Sequence, residues 1–276
     1  MENSQPQVSI IIPFFNHENF IEETLESVQK QTFQNFEIII VDDCSCEKAK
    51  KKLTEIAKKN SEIQIFYNSK NKGPSFCRNY GIKKSKGKYI LPLDSDDKLD
   101  PKFIKKCLSF LEKNKFDFVI TYLKNFGKLN NIWKPKINLY ELLFNGTLPY
   151  CAIFKKNIFE KTGGYDENFK EGFEDWEFWI RVLKENFQGH IIAEPLFFYR
   201  NQKISRLQKT HILRPKLIKR IRKKHFDLYK NQKNIKKNWP GYSQINCFFH
   251  NIHYRISCVF PKFGVFLMKL YFMIKR

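Results

Sequence analysis

Five short apolar runs most constrain what this chain can fold into. Val8–Ile12, Glu37–Val41, Ile63–Tyr67, Tyr89–Leu93 and Phe116–Thr121 are rich in β-branched and aromatic residues and read as buried strands. Between them lie segments with helical patterning. Glu18–Gln31 places Ile21, Leu25 and Val28 on one face, and Glu47–Lys59 does the same with Leu53, Ile56 and Ala57. Ser75–Lys84 and Pro101–Lys113 follow as further helices. Strand and helix in alternation predict an α/β fold with a mostly parallel sheet covered on both faces. Ligands of such sheets bind beyond the carboxyl ends of the strands. Asn16 follows the first run, Asp42 and Asp43 close the second, and Asp94 to Asp97 close the fourth. Three separate segments therefore converge on one sheet edge.

After Thr121 the alternation weakens. Pro149–Phe154 reads as a strand, Gly163-Gly164-Tyr165-Asp166 as a turn, Asp175–Lys184 as an amphipathic helix and Gly189–Ala193 as a strand.

The run ending in Asp94-Ser95-Asp96-Asp97 places three carboxylates within four residues of a strand tip. Mg²⁺ and Mn²⁺ prefer carboxylate oxygen and fill their remaining positions with water and phosphate. A solvated acidic turn, with Asp97 capping the next helix, is the alternative for an isolated Asp-x-Asp. The neighbouring polar segments favour the cation.

Charge is unevenly distributed. The chain of 276 residues carries a net +22, yet from Asn201 onward there are 19 Lys and Arg against one acid, Asp227. The first part is nearly balanced and the last is a basic block, which implies an anionic partner, membrane or nucleic acid. The seven cysteines include no Cys-x-x-Cys pair, so reduced thiols are expected rather than a zinc site or a disulfide framework. Met1–Pro6 is polar, and no apolar run approaches the roughly 20 residues that span a bilayer. A cytoplasmic protein without a signal peptide is therefore expected. The six histidines are scattered and none is assigned as a ligand.

From Val8 to about Ser205 the chain resembles the family-2 glycosyltransferases, the large inverting family with the GT-A fold. Val8-Ser9-Ile10-Ile11-Ile12-Pro13-Phe14-Phe15-Asn16 is similar to the family's opening strand and loop, and Glu37 to Ser45 to its second strand and Asp-Asp-x-Ser turn. Asn71-Lys72-Gly73, Arg78-Asn79 and Gly87-Lys88-Tyr89-Ile90 lead into the Asp94–Asp97 cluster as the family pattern does. Gly163-Gly164-Tyr165-Asp166, Glu174-Asp175-Trp176 and Tyr199-Arg200 complete the match. Two positions depart from it. Gln202 stands where the family often has His, which puts any metal or phosphate role of that position in doubt. Cys44 replaces a usual Gly, so either that position needs no positive φ or it tolerates the strain.

The resemblance implies a GT-A domain over residues 1–204. Residues 205–276 would form a basic, aromatic, mainly helical extension. It implies a nucleotide-sugar donor, probed first as UDP-linked, held by Pro13, Phe15, Asn16, Asp42, Asp43, Arg78, Asp94 and Ser95. Asp43 would accept from a uracil N–H, with Asp42 supporting it or capping the next helix. Asp94 and Asp96, with Asp97 able to share the task, would hold Mn²⁺ or Mg²⁺. Asp175 would be the general base, its ionised form favoured at a helix start, with Glu174 as the rival or as a cap. Arg78 and Arg200 would meet phosphate or lie at the surface, and Trp176 would stack on an acceptor sugar or pack its helix. The acceptor would be a hydroxyl of a cell-surface or lipid-linked glycan, of the lipopolysaccharide or capsule kind. Transfer to a polyprenyl phosphate is the second enzymatic reading, and a non-catalytic nucleotide- or glycan-binding scaffold the third.

The basic run Lys216–Lys224, with the aromatic residues Phe248, Phe249, Tyr254, Phe260, Phe263 and Phe266 and the aliphatic Leu267, suits peripheral attachment to anionic lipid at the inner face of the cytoplasmic membrane. A solvated basic helix packed on the main domain is the plainer alternative. Nucleic-acid binding ranks behind both.

Overall fold

The computed structural model describes residues 5–60, 62–113, 116–201 and 206–239, with side chains from residue 213 in the last stretch. The first half runs β1 (Val8–Phe14), α1 (Ile21–Gln29), β2 (Phe36–Asp42), α2 (Glu47–Lys59), β3 (Ile63–Tyr67), α3 (Pro74–Lys84), β4 (Tyr89–Pro92), β5 (Lys98–Leu99) and α4 (Phe103–Lys113). The second half runs β6 (Phe118–Gly127), β7 (Ile132–Trp133), α5 (Leu139–Leu142), β8 (Ile153–Lys155), α6 (Lys156–Thr162), α7 (Glu174–Lys184) and β9 (Gly189–Asn201). Three helices follow: α8 (Arg206–Lys224), α9 (Phe226–Lys230) and α10 (Gln232–Asn238).

One sheet carries the fold, in the order β3-β2-β1-β4-β8-β6-β9-β5, with β7 paired to β6. β1, β2, β3 and β4 are parallel, as their fully apolar runs predict. The short strand β8 is antiparallel to both β4 and β6, so β6 and β9 regain the direction of β4. The carboxyl ends of the long strands therefore share one edge.

Period-two alternation divides the strand residues between two cores. Ile11, Ile39, Val41 and Ile90 face one layer with α3 and α7, and Val8, Ile10, Ile12, Ile38, Ile40 and Leu91 face the other with α1, α2 and α4. A polar knot sets the register at the opposite edge. The Ser9 hydroxyl donates to Glu37 Oε1 at 2.6 Å and accepts from Gly87 N at 2.8 Å. A Cβ on Gly87 would lie 2.5 Å from Ser9 Oγ and 2.7 Å from Ser9 N, so only glycine fits there.

Several segments differ from their sequence expectation. β6 and β9 run well beyond Thr121 and Ala193, paired in parallel as far as Gly127 and Asn201, with register shifts on either side of Tyr122. Glu194 and Pro195 interrupt the apolar pattern of β9 without ending the strand. The strand expected over Pro149–Phe154 is only Ile153–Lys155. Cys44 has φ +64°, so it tolerates the left-handed conformation rather than avoiding it.

The helices after β9 share a core with the main sheet. Leu217, Ile218 and Ile221 of α8 and Ile235 of α10 are buried in the same cluster as Leu142, Leu143 and Trp176. Over residues 213–239 the basic extension thus packs on the domain by its apolar face. Its cations meet carboxylates: Lys216 and Arg220 approach Glu171, and Lys224 lies 2.6 Å from Asp166. The aromatic residues from Phe248 to Leu267 lie outside the described residues. Among the described residues no helix is long and apolar enough to cross a membrane.

Glu177 of α7 anchors this packing. Fully buried, it receives Arg181 at 2.8 Å, Lys224 at 3.0 Å and His225 at 3.0 Å. Burial alone would raise its pKa, but hydrogen bonds from His225 and Arg181, with the charges of Arg181 and Lys224, outweigh this and hold it at about 2. A carboxylate held that low stabilises the fold by ~3 kcal/mol at neutral pH, at about 1.4 kcal/mol per pKa unit. Because the folded pKa is depressed, this contribution is complete above the ordinary carboxylate range and fades as pH falls toward 2. Glu177→Gln is expected to lose ~3 kcal/mol of unfolding free energy at pH 7 by denaturant titration, and progressively less below about pH 4.

Candidate active site

Two adjoining cavities open at the carboxyl edge of the sheet. The first, of about 410 Å³, is lined by Pro13, Phe15, His17, Asp43, Asn71, Asp94, Ser95, Asp96, Tyr199 and Arg200. The second, also about 410 Å³, is lined by Arg78, Asp94, Trp133, Asn145, Tyr150, Glu174, Asp175, Trp176, Tyr199 and Arg214. Asp94 and Tyr199 belong to both walls.

The first cavity rests on the strand-end loops. Asp43 accepts from the backbone N–H groups of Lys72 and Gly73 at 2.8 Å each, and from Asn68 Nδ2 at 3.1 Å. It thereby fixes the turn that begins α3, where Gly73 has φ +88° and Pro74 occupies the first helical turn. Its carboxylate edge still lines the cavity. Phe15, 45% exposed, offers an uncovered ring at the mouth.

Asp42 and Asn16 are placed differently from expectation. Asp42 is fully buried, accepts from Ser45 N with both oxygens at 3.3 Å and does not line the cavity, so it shapes the turn. Asn16 also lies outside the lining. Its Oδ1 accepts from Cys46 N at 2.8 Å and its N–H donates to Ser45 Oγ at 3.0 Å, which stitches the loop after β1 to the turn after β2.

The carboxylate cluster after β4 divides its tasks. Asp94 and Asp96 face the first cavity. Asp97 does not, and is 0% exposed. Its oxygens accept from Arg200 N at 2.7 Å and from the Tyr150 hydroxyl at 2.5 Å. Burial, with Asp96 and Asp94 alongside, pushes its pKa well above the carboxylate range. Asp97 therefore pins the loop to β9 and to Tyr150, whose hydroxyl also accepts from Asp94 N at 3.0 Å. Asp97, expected to be able to share in holding a cation, is placed away from the first cavity. Ser95 is buried and meets His17, Nδ1 to Oγ, at 2.8 Å, and His17 lies 4.0 Å from Asp96 Oδ1.

Arg78 does not reach a phosphate position at the surface. It is 1% exposed and spans the wall between the cavities, donating to Asp94 Oδ1 at 2.7 Å and Glu174 Oε1 at 3.0 Å. Tyr150 and Tyr165 flank its guanidinium at 5.1 and 5.5 Å. Burial would lower its pKa, but Asp94 and Glu174 outweigh that and keep it firmly charged. Arg200 does line the first cavity, with its Nε on the Asp96 carbonyl at 2.7 Å.

In the second cavity a strained turn delivers the acidic pair. Gly172 has φ +131° and Phe173 φ +64°, and α7 starts at the next residue. Both line this cavity: Glu174 is 6% exposed and tied to Arg78, and Asp175 is half-buried. Burial and the neighbouring Glu174 raise the Asp175 pKa to about 6, against the opposing charge of Arg78. Asp175 is thus ionised at neutral pH yet basic enough to take a proton. Trp176 packs at a tilt beside Phe173 and donates its indole N–H to the Leu142 carbonyl, while Trp179 is fully buried.

His17 and Tyr150 join the site without having been singled out from sequence, and Asn71 and Tyr199, quoted only as part of the family match, line it as well. His17 adjoins Asn16 at a strand end, a position that could have flagged it. Tyr150 carries no local signal, because its partners lie more than 50 residues earlier. Gln202 lies outside the described residues.

Comparison with known proteins agrees with this geometry. Residues 9–187 match the model of Glycosyl transferase family 2. The putative teichuronic acid biosynthesis glycosyltransferase TuaG of Bacillus subtilis is 30% identical over 205 residues, covering 72% of this chain and 81% of TuaG. An uncharacterized glycosyltransferase of Rickettsia bellii is 36% identical over 201 residues, 68% of this chain. The chain spans only 28% to 32% of the length of such rickettsial relatives. Among solved structures, Staphylococcus aureus TarS 1–349 in complex with UDP-GlcNAc superposes with TM-score 0.62 at 20% identity, over 73% of this chain and 60% of that one. The mannosyltransferase PcManGT of Pyrobaculum calidifontis, in complex with GDP-Man and Mn²⁺, gives TM-score 0.60 at 16% identity, over 77% and 62% of the two chains. With the family model spanning most of the described sheet and the two cavities at its carboxyl edge, this chain belongs to the family-2 glycosyltransferases and has the GT-A fold.

Proposed function

We propose that the chain is a metal-dependent inverting glycosyltransferase that moves a sugar from a UDP-sugar to a hydroxyl of a glycan acceptor. The observation that carries this reading is the junction of the two cavities at Asp94 and Tyr199, with the strand-tip aspartates on one side and Asp175 on the other. A donor in the first cavity and an acceptor in the second would meet at that junction.

In this reading Phe15 and Asp43 flank the nucleotide base, and Asp43 accepts its N–H. His17 and Arg200 supply positive or donating groups along the diphosphate. Asp94 and Asp96 fit an oxygen-preferring Mn²⁺ or Mg²⁺. Among the described residues no three His, Cys, Asp or Glu gather to hold a metal by themselves, which suits an ion completed by phosphate oxygens. When bound, the ion supplies Lewis-acid stabilisation of the departing diphosphate. Asp175 takes the proton of the acceptor hydroxyl as that oxygen attacks the anomeric carbon from the face opposite the leaving group. TarS binds UDP-GlcNAc and PcManGT binds GDP-Man with Mn²⁺, which supports a nucleotide-sugar donor and a divalent ion on this fold. The exposed Lys219, Lys223, Lys230 and Lys233 of the packed helices support attachment to anionic lipid at the cytoplasmic face, near a lipid-linked acceptor.

Three outcomes are expected. In a thermal-shift panel of UDP-, GDP-, CMP- and dTDP-sugars, the UDP class stabilises the protein with Mn²⁺ and not with EDTA. At 100 times Kd the gain is about 2.7 kcal/mol, and Asp96→Ala abolishes it; a shift with GDP-sugars alone would replace uracil by guanine. The transfer rate of the wild type rises with pH through about 6 as Asp175 ionises, and Asp175→Asn lowers kcat roughly 10²–10⁴-fold. Near-normal turnover in that variant would favour transfer to a polyprenyl phosphate. In sedimentation with phosphatidylserine vesicles the protein pellets at low salt and is released as salt screens the lysines; no pelleting at low salt would remove the lipid surface from the reading.

A further inference from the structure

The second cavity holds a buried cation that the reaction above does not use. Arg214 of α8 lines this cavity and is 9% exposed. Its guanidinium lies to one side of the Phe173–Trp176 pair, 5.5 and 5.6 Å from ring centroids that are themselves 4.9 Å apart. One terminal nitrogen donates to Asn145 Oδ1 at 3.1 Å, and the shielded Nε has no hydrogen-bond partner among the described residues. No carboxylate pairs with Arg214 among those residues either. The rest of the chain offers almost none: Glu2 is the single acidic side chain outside the described residues, and Asp227, the one acid after Asn201, lies 2.8 Å from Lys184.

Arg78 shows the contrast. It is buried more deeply, at 1% exposed, and two carboxylates match its charge. A guanidinium kept from water without a counter-charge is costly. Burial lowers the Arg214 pKa only to about 10, so it remains charged at neutral pH. The two rings shield one side of a group whose parallel N–H bonds suit carboxylate or phosphate oxygens. Arg214 is absent from the lining of the first cavity, which separates it from the donor's diphosphate.

We infer that Arg214 is the binding residue for an oxyanion, a carboxylate or a phosphate, carried by the acceptor glycan in the cavity that contains Asp175. The chain thereby selects acidic acceptors. This rests on reading that cavity as the acceptor side.

The test is a binding panel on the full chain, saturated with UDP and Mn²⁺ at constant ionic strength. The probes are methyl glucuronide, N-acetylglucosamine 1-phosphate, methyl glucoside and inorganic phosphate. One acidic sugar is expected to raise Tm where methyl glucoside at the same concentration does not, and the stronger of the two acidic sugars identifies carboxylate or phosphate. Arg214→Met is expected to keep the UDP shift, to bind the acidic sugar roughly tenfold or more weakly, and to have a Tm of its own no lower than wild type, because an unmatched charge leaves a packed site. Arg214→Lys, which keeps the charge but loses the planar fork, is expected to retain the UDP shift and lose most of the acidic preference. Equal response of the wild type to acidic and neutral sugars, or undiminished acidic binding in Arg214→Met, would overturn the inference while leaving the donor site standing. A shift with inorganic phosphate equal to that with the sugar phosphate would overturn the assignment to the acceptor. Absence of any UDP shift in the wild type would instead remove the functional reading on which the inference rests.

Discussion

A single buried guanidinium holds the site together. Arg78, in the middle of α3, is bonded to Asp94 at the end of the sheet and to Glu174 at the start of α7. Its removal would take the cation from the buried Glu174, the kind of loss that costs about 3–5 kcal/mol when one partner of a buried ion pair is deleted, and from Asp94, which is partly exposed. Beside this cluster, burial and the Glu174 charge act together to raise the Asp175 pKa to about 6. The same triad thus ties the walls of the two cavities together and sits beside Asp175 in the second.

Legibility in the sequence followed physical locality. β1, β2 and β4 are buried on both faces and appear as largely apolar runs, and with the edge strand β3 the parallel half of the sheet could be read directly. β8, reduced to three residues and inserted antiparallel, leaves no such trace. β9 passes through Glu194 and Pro195, residues that ordinarily end a run, because its ladder is shared with β6 over a long distance. Among site residues, carboxylates at strand tips could be found because the fold places strand tips together. Which of them face the cavity could not. Asp42 and Asp97 differ from Asp43 and Asp94 by one residue or a few, yet alternation and a turn send the first pair into the protein and the second to the cavity. Arg78 was visible as a cation but not as a clamp, since Glu174 lies 96 residues away in sequence.

The basic block after Asn201 shows how charge counts can mislead when burial is unknown. Read as a linear run, Lys216–Lys224 is a surface. Folded, its Leu217, Ile218 and Ile221 complete a core, and Lys216, Arg220 and Lys224 answer the carboxylates of Asp166, Glu171 and Glu177. Part of the positive excess is therefore internal bookkeeping between the sheet domain and its own last helices. Another part, Arg214, is turned inward with no carboxylate paired to it among the described residues.

The ionic knot at Glu177 also bears on how this chain can be divided. A cut at residue 204, where composition changes most sharply, would remove Lys224 and His225 from a carboxylate that is fully enclosed. It would also uncover the apolar surface under Leu217, Ile221 and Ile235. A fragment that keeps both this core and the lining of the second cavity extends at least through α10.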